Sequence, residues 1–276
     1  FAYLGRAGVL TSKFMLISSI MLLCSSIIYY QHTFTVATYL SDIDDEFFTN
    51  NASVLFLYLL PCLIFIEQKW IKYIILVSCL FFLITSVKRG NIIAAIIPTV
   101  IVLFHLLKST KGSMSKMIVI LICFIGLSYL VKDWILSNDY FLMRFEDTLE
   151  GNSSNRDLIY AEAWSLWRNS DSIVHVVGGY GFDGTISNIF NNYRAHNDWL
   201  EVLVDYGILG VLLYLNIFIQ FFKQILKSSS LESKYVLVSV VSIWLIKSCI
   251  SMGFTDEFLA ILAIPIGAAL VSQSKS

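Results

Sequence analysis

Trp199-Leu-Glu-Val-Leu-Val-Asp-Tyr-Gly-Ile-Leu-Gly-Val-Leu-Leu-Tyr-Leu-Asn-Ile-Phe-Ile-Gln-Phe-Phe222 is the stretch on which the fold turns. It carries only two charges, Glu201 and Asp205, both near its start. A helix needs about 20 predominantly apolar residues to cross the hydrocarbon core of a bilayer, and this run is long enough. Seven further apolar runs flank it, over residues 14–30, 52–66, 70–87, 92–107, 117–136, 235–254 and 258–271. The second, fourth and eighth in chain order are short, and Pro61 and Pro98 interrupt the second and fourth. Composition agrees. Of 276 residues, 57% are hydrophobic and 14% charged, with a mean hydropathy of +0.73, whereas a soluble domain has about 25% charged residues. A water-soluble enzyme, a disordered chain, a nucleic-acid binder and a secreted disulfide scaffold are excluded. The expected fold is all-α: one polytopic membrane helical bundle over residues 1–276, with about eight transmembrane helices. The chain opens on Phe1 rather than Met, so further helices are expected upstream.

Lysine and arginine orient the bundle. With the N-terminal end on the cytoplasmic side, the inner segments hold Arg6, Lys13, Lys69, Lys72, Lys108, Lys111, Lys116, Lys223, Lys227, Lys234 and Lys275. The acids there are Glu67 and Glu232. Every inner loop then obeys the positive-inside rule, and the flipped topology violates it at each loop. The formal net charge of −1 hides this asymmetry. The same map makes residues 137–198 a large extracytoplasmic loop inserted between spans, too polar to cross the bilayer and expected to contain short helices. Connections of that length are usually functional. Lys88, Arg89, Arg144, Arg156, Arg168 and Arg194 fall outside, against the charge rule. Each either pairs with an external carboxylate or meets an anionic ligand. The five cysteines all lie in apolar runs without a Cys-x-x-Cys pair and read as small buried hydrophobes.

Four motifs carry chemistry in the outer half. Ser86-Val-Lys-Arg-Gly90 joins the third and fourth spans, which holds Arg89 at the lipid–water boundary. A guanidinium there either snorkels or grips a lipid-linked phosphate through its two-pronged fork. Ser154 followed by Asp157 reads as a capping box opening an amphipathic helix, with Arg156 in its first turn and Leu158, Ala161, Trp164 and Ser165 as the face toward the membrane helices. Gly178-Gly-Tyr-Gly181 is either a turn cluster or a backbone nest for phosphate. In His196-Asn-Asp-Trp-Leu-Glu201, His196 ends the external loop where the sixth span begins. Glu201 and Asp205 share one helix face, in the outer third of the bilayer, with Lys247 of the seventh span as a counter-charge. Ionisable groups at such depth are functional candidates by default. Gly207 and Gly210 allow close helix approach. Asp42-Ile-Asp-Asp45 reads as a solvated acidic loop, and His32, His105 and His175 share no metal-ligand spacing, so no metal and no cofactor are expected.

The ordered set Ser86-Val-Lys-Arg-Gly90, Arg156 with Trp164, Gly179-Tyr-Gly181, His196-Asn-x-x-Leu-Glu201 and Asp205-Tyr-Gly-x-x-Gly210 resembles the O-antigen ligase and O-antigen polymerase superfamily of bacterial membrane glycosyltransferases. The resemblance covers about residues 86–210. Its one departure is Asp205, where Glu is commoner. It implies a fold like the C-type glycosyltransferases and a metal-independent transfer of glycan from undecaprenyl diphosphate at the outer face of the bacterial inner membrane. The acceptor would be lipid A core for a ligase, another lipid-linked repeat unit for a polymerase, or a protein for an O-oligosaccharyltransferase. Partners would be the lipid-linked glycan, the acceptor and membrane lipid, with no nucleic acid. Arg89, Arg156 and His196 would be the catalytic set, with Gly179, Gly181, Asn197, Glu201, Asp205 and Lys247 binding substrate. A diphosphate leaves readily once its charge is neutralised. His196 is then either the base for the acceptor hydroxyl or a ligand of the diphosphate, with Glu201 or Asp205 orienting it or gripping the acceptor. The competing class is a lipid-linked oligosaccharide flippase or transporter, which would show internal repeats and midplane charges; neither is visible.

Overall fold

The computed structural model describes residues 10–44, 50–86, 88–109, 156–189, 194–253 and 259–272, and every regular element among them is helical. The fifth apolar run, Arg144, Ser154 and Asp45 lie outside the described residues. Among the described residues, four helical stretches are long and apolar enough to cross a membrane: Ser12–Thr33, Arg89–Lys108, Asp198–Lys227 and Leu231–Ile250. Asn51–Phe65 and Leu259–Leu270 are shorter apolar stretches. This is a polytopic helical membrane architecture.

Helix α1 (Ser12–Asp44) runs well past its expected end near residue 30. Asp42 and Asp44 therefore lie on a helix, which corrects the loop expected there. The second run is short because it occupies the centre of the bundle rather than its lipid face. A 3-10 turn (Asn51–Ser53) leads into α2 (Val54–Leu59), and a second 3-10 stretch follows (Leu60–Phe65) with Pro61 near its start. Phe56, Leu57, Tyr58, Leu59 and Leu60 are all fully buried. Around this segment pack α1, α3 (Lys69–Thr85), α4 (Arg89–Ser109) and α9 (Leu231–Ile250). Pro98 sits inside α4 without ending it. Three short outer helices, α5 (Arg156–Arg168), α6 (Ile173–Gly178) and α7 (Gly184–Asn188), lean on α8 (Asp198–Lys227). A 3-10 turn (Leu259–Leu262) and α10 (Ala263–Ser272) close the described chain.

The largest departure from expectation is α8. At Gly207 the backbone takes φ 64° and ψ −159°, which breaks the helix sharply. A straight helix rises 1.5 Å per residue, so Asp198 and Tyr214 would stand roughly 24 Å apart. Instead the Tyr214 hydroxyl donates to Asp198 Oδ2 at 2.8 Å, and the Trp199 ring stacks on Phe218 at 5.7 Å. The element is therefore a short arm, residues 198–206, folded back on a span that begins at 208. Glycine suits both points of closest approach. Any side chain at 207 would run into the Val177 backbone, and one at 210 would overlap Tyr206 and Val202 of the returning arm. Val202, Tyr214, Phe218 and Val241, with Trp199 and Trp244 against them, seal the fold-back. The uninterrupted span expected over 199–222 is thus corrected, and Glu201 and Asp205 ride on the arm. Gly207 gives the close approach of separate helices expected of it, to α6, while Gly210 serves the reversal itself.

Candidate active site

The outer end of α9 gathers residues that are distant in sequence. A helix ends with carbonyls that lack intrahelical partners, and two of them are used here as anchors. Arg156, in the first turn of α5, donates through Nη1 to the Ile250 carbonyl. Asn197 Nδ2 donates to the Cys249 carbonyl at 3.0 Å. The same end takes the start of α4: a Cβ on Gly90 would stand 3.7 Å from Ile250 Cδ1 and 3.8 Å from Ser251 Cβ. Trp199 Nε1 adds a bond to Ser248 Oγ at 3.1 Å. Arg89 adjoins Gly90 and His196 adjoins Asn197, so the backbone segments that carry the three expected catalytic residues meet at one helix end. Cations are also favoured beside helix C-termini. As expected, α4 resumes at once after the Ser86–Gly90 joint, with Arg89 as its first residue. Neighbouring Lys88 is tied to the Asn51 side chain.

His196 sits in a left-handed backbone conformation, φ 51°, held from both sides. Asn197 caps α8, its side chain accepting from the Trp199 and Leu200 amides at 3.0 and 3.2 Å. On the other side Glu201 reaches back, and its Oε2 accepts from the Ala195 amide at 2.8 Å. Glu201 Oε1 accepts from Thr185 Oγ1 at 2.7 Å and from Arg194 Nη1 at 3.2 Å. Arg194 Nη2 bridges to Asp183 at 2.8 Å. Burial pushes the His196 imidazole below its ordinary value. The Arg156 guanidinium lowers it further, Glu201 opposes, and Lys88 and Arg194 add smaller cationic pushes. A neutral imidazole beside a guanidinium can accept a proton while the guanidinium holds an anion.

Other expected site residues take different places. Glu201 and Asp205 share a face, as their spacing predicts, and both grip Thr185, whose amide donates to Asp205 Oδ1 at 3.1 Å. The cation on Glu201 is Arg194, not Lys247. Buried Lys247 points at α2, with Nζ 3.3 Å from the Tyr58 hydroxyl and 5.3 Å from that ring's centre. The counter-charge role expected for it is corrected accordingly. Gly179 and Gly181 hold the outer segment against the α8 arm. The Tyr180 amide donates to Val204 O at 2.8 Å, the Gly181 amide to Asp205 O at 2.9 Å, and the Gly179 amide to His175 O at 2.9 Å. The donors a phosphate nest would need are already engaged. On α5 the buried face runs through Ala163, Leu166 and Trp167, while Leu158 and Trp164 are exposed. That corrects the face expected for this helix.

Three participants had no sequence reading. Asp198 is buried and accepts from the Gly253 amide at 3.0 Å as well as from Tyr214, locking the arm to the chain beyond α9. Thr185 joins both arm carboxylates to α7. Tyr160 donates to the His196 carbonyl at 3.3 Å. For Tyr160 a signal existed, because it lies four residues after Arg156 and so on the same helix face. For Asp198 and Thr185 the partners come from other elements, and spacing along the chain says nothing of them.

A family model described as O-Antigen ligase matches residues 74–215, just over half of the chain. No curated protein matches it. The match runs from within α3 to beyond the α8 reversal and takes in Arg89, Arg156, His196, Glu201 and Asp205; Lys247 and the outer end of α9 lie past it.

Proposed function

The chain belongs to the O-antigen ligase family, and from that premise we propose that it transfers a glycan from undecaprenyl diphosphate to an acceptor hydroxyl. The acceptor is lipid A core or another lipid-linked repeat unit, and the site faces the outer side of the bacterial inner membrane. Support comes from one observation above the rest: Arg156 and the Asn197 next to His196 meet on adjacent carbonyls at the end of α9. Arg89 joins them through Gly90.

In this mechanism Arg89 and Arg156 neutralise the diphosphate, each guanidinium fork donating to two of its oxygens. The bond between the anomeric carbon and the diphosphate oxygen breaks, and undecaprenyl diphosphate leaves with the electron pair. The acceptor hydroxyl oxygen forms the new glycosidic bond, and its proton passes to neutral His196. Glu201 positions the base by holding Ala195, one residue upstream. Asp205 and the two glycines brace the outer segment.

The test separates binding from chemistry in protein reconstituted with undecaprenyl-diphosphate-linked glycan. His196→Ala is expected to lower turnover by at least 100-fold, in line with general-base catalysis, and to leave donor affinity within a few-fold of wild type. Arg156→Lys and Arg89→Lys keep the charge but lose the fork, and each is expected to weaken donor binding by about tenfold or more. If donor affinity falls with His196→Ala as far as the rate does, His196 is a phosphate ligand. Near-wild-type turnover in that variant, at normal abundance in the membrane, overturns the assignment.

A further inference from the structure

Tyr160 stands one turn beyond Arg156 on α5, and its hydroxyl touches each part of the proposed site that faces that helix. It donates to the His196 carbonyl at 3.3 Å and lies within hydrogen-bonding reach of the Arg156 and Asn197 side chains. Resting on the glycan-transfer reading above, we infer that Tyr160 is a positioning residue that fixes His196 against Arg156. A non-glycine residue holds a left-handed backbone only where its surroundings impose it. At His196, φ 51°, the imposing groups are Asn197 on one side, Glu201 through Ala195 on the other, and Tyr160 on the carbonyl itself. Burial raises the Tyr160 phenol above its ordinary value, with the Arg156 charge opposing, so the hydroxyl stays a protonated donor. Without that donor the His196 backbone relaxes toward the right-handed or extended region, and its ring leaves the guanidinium. Arg156 keeps its own anchor on Ile250, so the hold on the diphosphate survives.

Tyr160→Phe removes the hydroxyl and keeps the ring. In the reconstituted full chain, kcat is expected to fall about five- to tenfold, the order set by losing one hydrogen bond that holds a strained backbone. The donor KM should stay within about twofold. The acid limb of kcat/KM should also move upward, because His196 moves away from Arg156, whose charge lowers the imidazole more than Glu201 raises it. A role limited to stability would lower abundance and leave that limb in place. Should Tyr160→Phe fail to accumulate, 3,5-difluorotyrosine at position 160 keeps the fold and makes the phenol more acidic. Its rate should then fall on the alkaline side, where wild type does not. His196→Ala serves as the reference. If it is inactive while Tyr160→Phe, or the difluorotyrosine protein, matches wild type in kcat and pH profile, the positioning role is wrong and the transfer reading stands. If His196→Ala is itself active, the assignment of His196 as the base in that reading fails first.

Discussion

At His196 two physical effects act on one residue: a backbone conformation that L side chains adopt at a cost of about 1–3 kcal/mol, and an imidazole pushed below its ordinary value by burial and Arg156. The second has a signed consequence. A base must be deprotonated to act, so kcat/KM should be flat around pH 7 and fall only as pH drops below the ordinary histidine value of 6.5. In the proposed mechanism bound diphosphate brings negative charge to the same place and raises the imidazole, so the acid limb of kcat should lie above that of kcat/KM. Rate profiles from pH 5 to 8 check both limbs; a limb of kcat/KM at or above 6.5 would contradict the environment described. Linkage to stability has the same sign. A histidine depressed in the folded state contributes stability above its unfolded value and loses it as pH falls through the folded one. The sequence singles out Arg89 and Arg156 by charge placed against the positive-inside rule and His196 by its place at a span boundary, and the structure brings Arg156 and His196's neighbour Asn197 to one helix end. Lys247 was misread, since its partner Tyr58 belongs to a helix far away in the chain.

Between residues and molecule lie the elements, and here α2 and α8 teach the most. Hydropathy reports that a stretch avoids water, not whether it faces lipid or other helices. The 52–66 run and the 199–222 run looked alike on that scale. One proved to be a buried central segment and the other a fold-back. A glycine reversal leaves apolar composition untouched, so it is invisible to hydropathy; only Gly207 and Gly210 hinted at it. The reversal is testable through Gly207→Ala. The added methyl must adopt φ 64° and meet the Val177 backbone. Strain at such a backbone costs about 1–3 kcal/mol, before any overlap with Val177 is counted. The variant is expected to show a lower Tm and a changed fluorescence from Trp199, whose ring leaves Phe218. An unchanged Tm would mean that the arm does not fold back at this glycine.

For the molecule as a whole, helical class and membrane character follow from composition, and the family match over 74–215 agrees with a resemblance carried by motifs within 86–210. What spacing along the chain could not supply was the meeting of α4, α5 and the α8 arm on the end of α9, because α9 lies beyond every motif that signals the site. In the proposed mechanism that meeting supplies cations for the leaving diphosphate and a neutral base for the incoming hydroxyl at one helix end. A deletion strain examined for its lipid-linked and finished glycans tests this most directly, complemented either by the wild-type gene or by His196→Ala. Undecaprenyl-diphosphate-linked glycan should accumulate in the deletion and in the His196→Ala strain, with wild type clearing it. Loss of chain length with attachment retained would identify polymerisation, and loss of attachment would identify ligation. An unchanged glycan profile without donor accumulation would contradict the account.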